Sequence, residues 1–456
     1  MHVNGDSMMK TRLGRRAIAL ASVAALAGTL SACSASDDGG GSSADDRSLE
    51  VWTRSTPDDA ASYQFVFDAF TAKTGIKIDY KPIPEFDTQL QARAQQRSLP
   101  DVMVTDAGNL GAYESQGFLR PVDRDAVAGG DQISDATWKS TLGTDGDHYG
   151  IPWSRQANIT FIRKDWLAAV GMQVPKTWDE LTAVAKAFAE DDPDGDGKAD
   201  TYGMVVPGSA ENGYIARWAA SYIWQAGGDI LKDGGDGTYT ADFDTPGTAT
   251  AVKWIRDQFC TPGVVVPGSV NLTTANTPFF AQGTAGIYQT GPYNLSSFDA
   301  AVGKDNVEVI PTPAGPGGGT DSFAEGENIY FGASSKKQDL QEQLAEFIIT
   351  PEAQELAMQV KTNDQGVLAQ PVVRIPVTTS VDIGQVKADP RWDTAKEVYD
   401  EHGRSFPWAI DFTPYRQIVA DGLNGVIADC SSDIPGALSD IQSQLSDELD
   451  EQGVQG

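Results

Sequence analysis

The sequence predicts an α/β protein of two or three lobes. Residues 48–80 read strand, helix, strand, and apolar alternation and helical stripes then recur along the chain as far as Leu449. At roughly 100 to 200 residues per domain, 456 residues exceed one core. With 64 acidic against 34 basic residues the net charge is −30. A polyanion would meet a like-charged surface, which argues against nucleic acid and against anionic lipid headgroups as partners. Three His and three Cys leave little material for a His-rich metal centre or a thiol nucleophile.

The N-terminus comes first in order and carries the sharpest signal. Lys10, Arg12, Arg15 and Arg16 form a basic region before Ala17–Leu30, an uncharged apolar run of 14 residues. Such a run falls short of the ~20 residues of a bilayer span and suits the hydrophobic part of an export signal. It ends in Leu30-Ser31-Ala32-Cys33, which resembles the bacterial lipobox, so residues 1–32 are read as a lipoprotein signal peptide and Cys33 as the lipid-bearing first residue. A plain signal peptide with an unrelated Cys is the alternative, and Met8 or Met9 could be the start. Residues 33–47 contain Ser, Ala, Asp and Gly with no large apolar group, hence a flexible tether. An anchor and a tether place a soluble domain on the outer face of the cell membrane.

Leu49 and Val51 alternate with polar residues, Tyr63, Val66, Phe67 and Phe70 fall at i, i+3, i+4 and i+7, and Ile76 to Tyr80 alternates again. This is a βαβ unit with parallel strands. A helix over Gln89–Gln96 leads to the strand Val102-Met103-Val104 and the loop Thr105–Leu110 at its carboxyl end, where open α/β sheets bind ligands. Ile159 to Ile162 is apolar, and a helix opens at Lys164 and ends at Gly171. Thr177 with Glu180 reads as a capping box before Leu181, Val184, Ala185 and Phe188. Leu340, Leu344, Phe347 and Ile348 form a helical stripe, and Ile418–Leu449 reads as helices broken near Cys430 to Pro435. Gly315 to Gly319 lacks the Lys-Ser/Thr of a phosphate-binding loop and reads as a plain loop.

Taken together, Pro100-Asp101-Val102 with Gly117-Phe118-Leu119, Tyr149-Gly150-Ile151-Pro152, Lys164-Asp165-Trp166, Pro175-Lys176-Thr177-Trp178-Asp179-Glu180-Leu181, Phe280-Ala281-Gln282-Gly283-Thr284-Ala285-Gly286 with Gly291-Pro292-Tyr293, and Thr350-Pro351-Glu352-Ala353-Gln354 resemble, in that order, the extracellular solute-binding lipoproteins of ABC importers. The resemblance is to the sugar-binding family that includes maltose-binding protein. It implies a two-lobed periplasmic-binding-protein-like α/β fold with a hinge, residues 48–153 with 311–348 forming lobe one and 156–307 with 352–456 lobe two. It further implies a monomer with no required cofactor and no catalysis, capturing a neutral mono- or oligosaccharide and delivering it to the importer's membrane permease subunits. Two other readings stay open. One is an extracellular glycan hydrolase, for which no GxSxG or HExxH motif stands out; the other is a signalling or adhesion lipoprotein on the same fold.

A sugar ring offers an apolar C–H face and a polar rim, so aromatic platforms with carboxylates and amides suit it. By position in the resemblance, the candidates are Trp153 and Gln156 at the first crossover, Trp218, Tyr293 after Gly291-Pro292, and Trp408 near the last crossover. Asp106 and Asn109 after the strand, with Glu327 and Asn328, are the polar candidates. Any one of these aromatics could equally be core, and the polar four could equally be turn formers. Ile162-Arg163 stands where many relatives have Tyr-Asn, so specificity does not carry over.

Asp192, Asp194, Asp196 and Asp200 occupy positions 1, 3, 5 and 9 of an EF-hand-type loop, with Gly197 at 6 and the Lys198 carbonyl at 7. Position 12 is Gly203 instead of Glu, so both a structural Ca²⁺ site and a solvated acidic turn fit the pattern. Cys260 and Cys430 remain once Cys33 is acylated, either bridged or as two buried thiols.

Overall fold

Parallel pairing of the first strands sets the frame. In the computed structural model, which describes residues 47–55, 60–363, 366 and 368–456, Ser48–Thr53 pairs in parallel with both Lys77–Pro82 and Val102–Asp106. Their carboxyl ends therefore lie side by side. The helix Ala60–Thr74 buries Tyr63, Val66, Phe67 and Phe70, the stripe a 3.6-residue repeat places on one face, in a core shared with Leu49 and Val51. The signal peptide, Cys33 and the tether up to residue 46 lie outside the described residues.

Ser322–Phe331 then adds antiparallel to Val102–Asp106, Gly150–Ala157 lies antiparallel beside it, and Ile375–Pro376 closes that edge. The second sheet runs Val307–Ile310, Ile159–Arg163, Ala285–Thr290 and Tyr202–Val205. A single residue, Asn158, separates Gly150–Ala157 of the larger sheet from Ile159–Arg163 of the smaller one. The chain returns between Val307–Ile310 and Ser322–Phe331. Two α/β lobes linked by short extended crossings are the arrangement in which hinge motion opens and closes a cleft. No helix among the described residues is long and apolar enough to cross a membrane.

Two expectations are corrected by these contacts. The segment 352–456, expected in lobe two, is divided: Pro351–Ala357 packs on Ala60–Thr74, and Ile375–Pro376 belongs to the larger sheet. Thr413–Ala428 and Ile434–Gln452 pack on the lobe-two helices Tyr214–Gln225 and Pro246–Cys260, whereas Pro390–His402 touches both Gly150–Ala157 of the larger sheet and Val307–Ile310 of the smaller one. Helical periodicity tells which side of Pro351–Ala357 is buried, but not which sheet it covers. The cap at Thr177 accepts from the Glu180 N–H at 3.3 Å, yet the Glu180 carboxylate accepts from Lys176 N at 2.6 Å instead of closing the box on Thr177.

Candidate functional site

The ends of the parallel strands deliver the first charges. Arg54 follows Ser48–Thr53 and Asp106 ends Val102–Asp106, so the neighbouring strand ends place Arg54 Nη2 2.7 Å from Asp106 Oδ1. Opposite Asp106 in register stands Glu327, and Glu325, two residues earlier, points to the same face. Arg374 pairs with Glu327 at 2.9 Å, and Tyr63 Oη donates to Glu327 Oε2 at 2.8 Å. Gln156, the register partner of Glu325, donates to Glu325 Oε1 at 2.8 Å.

The smaller lobe supplies the facing wall. Gln289 and Thr290 end the strand Ala285–Thr290, and Tyr293 folds back so that its hydroxyl lies 3.0 Å from Thr290 Oγ1. Gly291 permits this, because a Cβ there would stand 2.3 Å from the Tyr293 ring. The first turns of Tyr214–Gln225 bring in Tyr214, Arg217 and Trp218. Arg217 reaches across the cleft to within 3.6 Å of Asp106 and 3.7 Å of Glu325, and the Arg374 guanidinium lies 5.8 Å from the Tyr293 ring centre. The cleft, open to solvent on one side, has a volume of about 550 Å³, within the range of small-molecule sites.

The electrostatics follow from burial and pairing. Burial raises the Asp106 carboxyl, but Arg54 and Arg217 outweigh it and hold it below the ordinary carboxylate range. For Glu325 burial dominates over Arg217 and lifts it above the usual value. Burial opposes the charge on Arg374, and Glu327 more than restores it. Five buried atoms on side chains that line this cleft lack a hydrogen-bond partner: Gln156 Oε1, Arg217 Nε, Trp218 Nε1, Gln289 Oε1 and Arg374 Nε. Buried polar atoms are almost always paired with protein or ordered water, so these five mark polar capacity in the cleft wall that the protein's own side chains leave unused.

Of the residues singled out from sequence, Asp106, Gln156, Trp218, Tyr293 and Glu327 line this cleft. Asn109 instead donates to Thr105 Oγ1 and Tyr113 Oη one turn along. Trp153 is core, 1% exposed. Asn328 points to the opposite face of its strand, bonded to Arg155, Ser140 and Tyr330. Adjacent strand residues alternate in side, so Glu327 and Asn328 could not both reach one cleft. Trp408 packs on Phe406 and lines a separate cavity of about 400 Å³. Sequence reasoning missed Arg54, Arg217, Glu325 and Arg374. The two-residue spacing of Glu325 and Glu327 and the position of Arg54 after a strand were usable signals; nothing local marks Arg217 or Arg374.

Away from the cleft, one carboxylate oxygen each of Asp192, Asp194 and Asp196 lies within 4.8 Å of the others. Gly195 and Gly197 take φ of 72° and 80°, the left-handed region glycine favours, and Gly197 N donates to Asp192 Oδ2 at 3.0 Å. Asp200 stands outside that group, and the Lys198 ammonium bonds the Asp196 carboxylate. Asp192 Oδ1 is buried without a partner, which fits a hard-cation ligand. Cys260 and Cys430 are joined as a disulfide with Cα atoms 5.7 Å apart.

Comparison with known proteins adds the following. A family model described as bacterial extracellular solute-binding protein matches residues 53–355. Lipoprotein LipO of Bacillus subtilis (strain 168) is 26% identical over 331 residues, covering 68% of this chain and 64% of that protein. The polygalacturonan/rhamnogalacturonan-binding protein YtcQ of the same organism is 38% identical over 197 residues, 40% of this chain and 36% of its own length. The chain thus spans less than two thirds of these two relatives. A solute-binding protein structure from Thermotoga lettingae with α-D-tagatose bound matches at a TM-score of 0.75, with 19% identity, over 88% of this chain and 100% of that one; it is alike in fold.

Proposed function

The chain belongs to the bacterial extracellular solute-binding proteins, and from that premise we propose that it captures a saccharide between its lobes and presents it to the membrane subunits of an ABC importer. The observation that carries this is the cleft between the lobes, in which Trp218 and Tyr293 stand beside the polar side chains of Asp106, Gln156, Gln289 and Glu325. A sugar supplies hydroxyls that donate and accept, and a C–H face for the ring of Tyr293. The names of YtcQ and of the tagatose-bound neighbour support a carbohydrate. Because Arg217 and Arg374 bring the two walls together at Asp106, Glu325 and Tyr293, a ligand touching both walls favours the closed form by its differential contacts. The family is one of binding proteins, and we read this chain as binding without turnover.

Thermal-shift screening of a mono- and oligosaccharide panel is the test. At least one sugar is expected to raise the melting temperature, and Tyr293→Ala to weaken its binding by roughly 10-fold or more, since it removes a ring contact worth about 1.5 kcal/mol. If no carbohydrate stabilises the protein while a peptide or polyamine does, or if purified protein converts the sugar to product, the reading fails.

Two further assignments belong to this reading. Cys33 is the lipid-bearing first residue of the mature chain, supported by the basic and apolar segments before it and by a relative named as a lipoprotein. Cys33→Ala should move the protein from the membrane fraction to the medium; retention in the membrane would rule the anchor out. The loop of Asp192, Asp194 and Asp196 holds Ca²⁺ as a structural ion. At a free Ca²⁺ 100 times its dissociation constant, chelation should remove about 2.7 kcal/mol of stability. The paired change Asp194→Ala, Asp196→Ala should melt alike with and without chelator; a wild type equally indifferent to chelator would sink the assignment.

A further inference from the structure

The charges that line the cleft balance as a whole but not wall by wall. Among the described residues the larger lobe contributes Arg54 and Arg374 with Asp106, Glu325 and Glu327, and the smaller lobe contributes Arg217. The first wall is therefore net negative and the second net positive. Two of the three carboxylates are turned toward Arg217. Asp106 holds Arg54 of its own lobe on Oδ1 at 2.7 Å and leaves Oδ2 3.6 Å from Arg217 Nη2. Glu325 accepts from Gln156 on Oε1 at 2.8 Å and leaves Oε2 3.7 Å from Arg217 Nη1. Glu327 takes no part, because Arg374 occupies Oε1 and Tyr63 occupies Oε2, both from the larger lobe. Asp106 and Glu325 are thus each oriented by a partner on their own lobe, and each presents its second oxygen to one arm of the same guanidinium fork.

Arg217 stands on Tyr214–Gln225, which packs on Pro246–Cys260 and Thr413–Ala428 of the smaller lobe. Arg416, on Thr413–Ala428, adds positive charge to the same side and lies in the field of Asp106, Glu325 and Asp87, the last on Phe86–Gln95 of the larger lobe. A hinge motion that parts the walls breaks both Arg217 contacts together. It leaves Arg54–Asp106 and Arg374–Glu327 intact, since those are made within one lobe.

We propose that Arg217 is a closing latch, a tie from the smaller lobe to Asp106 and Glu325 that biases the lobes toward the closed form before any ligand is bound. It is a positioning residue that acts through the hinge, and it serves whatever ligand the cleft takes. The Arg217 side chain is 21% exposed and its partners 12% and 21%. Two partly exposed pairs of this kind shift the closed-to-open ratio by roughly 3- to 10-fold.

The test is small-angle X-ray scattering on the purified protein dialysed free of ligand. At low salt Arg217→Gln should have a larger radius of gyration than the wild type, while Arg217→Lys, which keeps the charge, should stay close to the wild type. Raising the salt from about 0.01 M to about 1 M shortens the screening length from about 30 Å to about 3 Å. That change should expand the wild type, and Arg217→Gln less. A residue that merely touched the ligand would leave these dimensions unchanged. The salt response of the wild type needs no variant, so a poorly folding Arg217→Gln leaves the proposal testable. Equal radii for wild type and Arg217→Gln at low salt, a wild type indifferent to salt, or an Arg217→Lys as expanded as Arg217→Gln would overturn the latch. No sugar enters these measurements, so their failure leaves the saccharide reading standing, and failure of the sugar panel leaves the latch.

Discussion

Glu327→Ala should abolish saccharide binding and lower stability by about 3–5 kcal/mol, the cost of leaving a buried charge without its partner. Arg374 and Glu327 have side chains only 13% and 12% exposed, so water does little to replace the lost carboxylate. The Tyr63 hydroxyl would lose its acceptor as well. Chemical denaturation gives the stability term and calorimetry the binding term. The paired variant Glu327→Gln, Arg374→Met removes both charges and should recover much of the stability without recovering binding, which separates the structural from the ligand-holding role. A Glu327→Ala protein within about 0.5 kcal/mol of wild type would show that Arg374 is satisfied from elsewhere.

The second large effect concerns the bridge. Cys260→Ser with Cys430→Ser should lower stability by up to about 5 kcal/mol, because Cys260 and Cys430 are 170 residues apart and closing so long a loop restricts the unfolded chain strongly. The bridge ties the end of Pro246–Cys260 to the turn between Thr413–Ala428 and Ile434–Gln452. Neither cysteine lines the cleft, so saccharide binding at 25 °C should persist in the variant while its melting temperature falls. Dithiothreitol should reproduce the effect in the wild type and leave the variant unmoved. A wild type whose melting ignores reductant would mean that the bridge does not constrain the chain.

Read alone, the sequence determined the local elements of this protein and one wall of its cleft. A period of 3.6 exposed the buried face of Ala60–Thr74, and a short apolar run exposed the strand ending at Asp106. That Asp106 stands at the carboxyl end of a parallel strand follows from the βαβ pattern alone, and the two-residue spacing of Glu325 and Glu327 would have put both on one face. Such properties are local, since periodicity is set by backbone geometry within a few residues. The tertiary structure alone decided which sheet receives Pro351–Ala357, that Cys260 comes within 5.7 Å of Cys430, and that Arg217 meets Asp106 and Glu325 across the cleft. These are distances between residues far apart in the chain, and no spacing in the sequence encodes them. They arise when the apolar faces of separate elements choose their partners, and the ion pairs of the cleft form only once that choice is made.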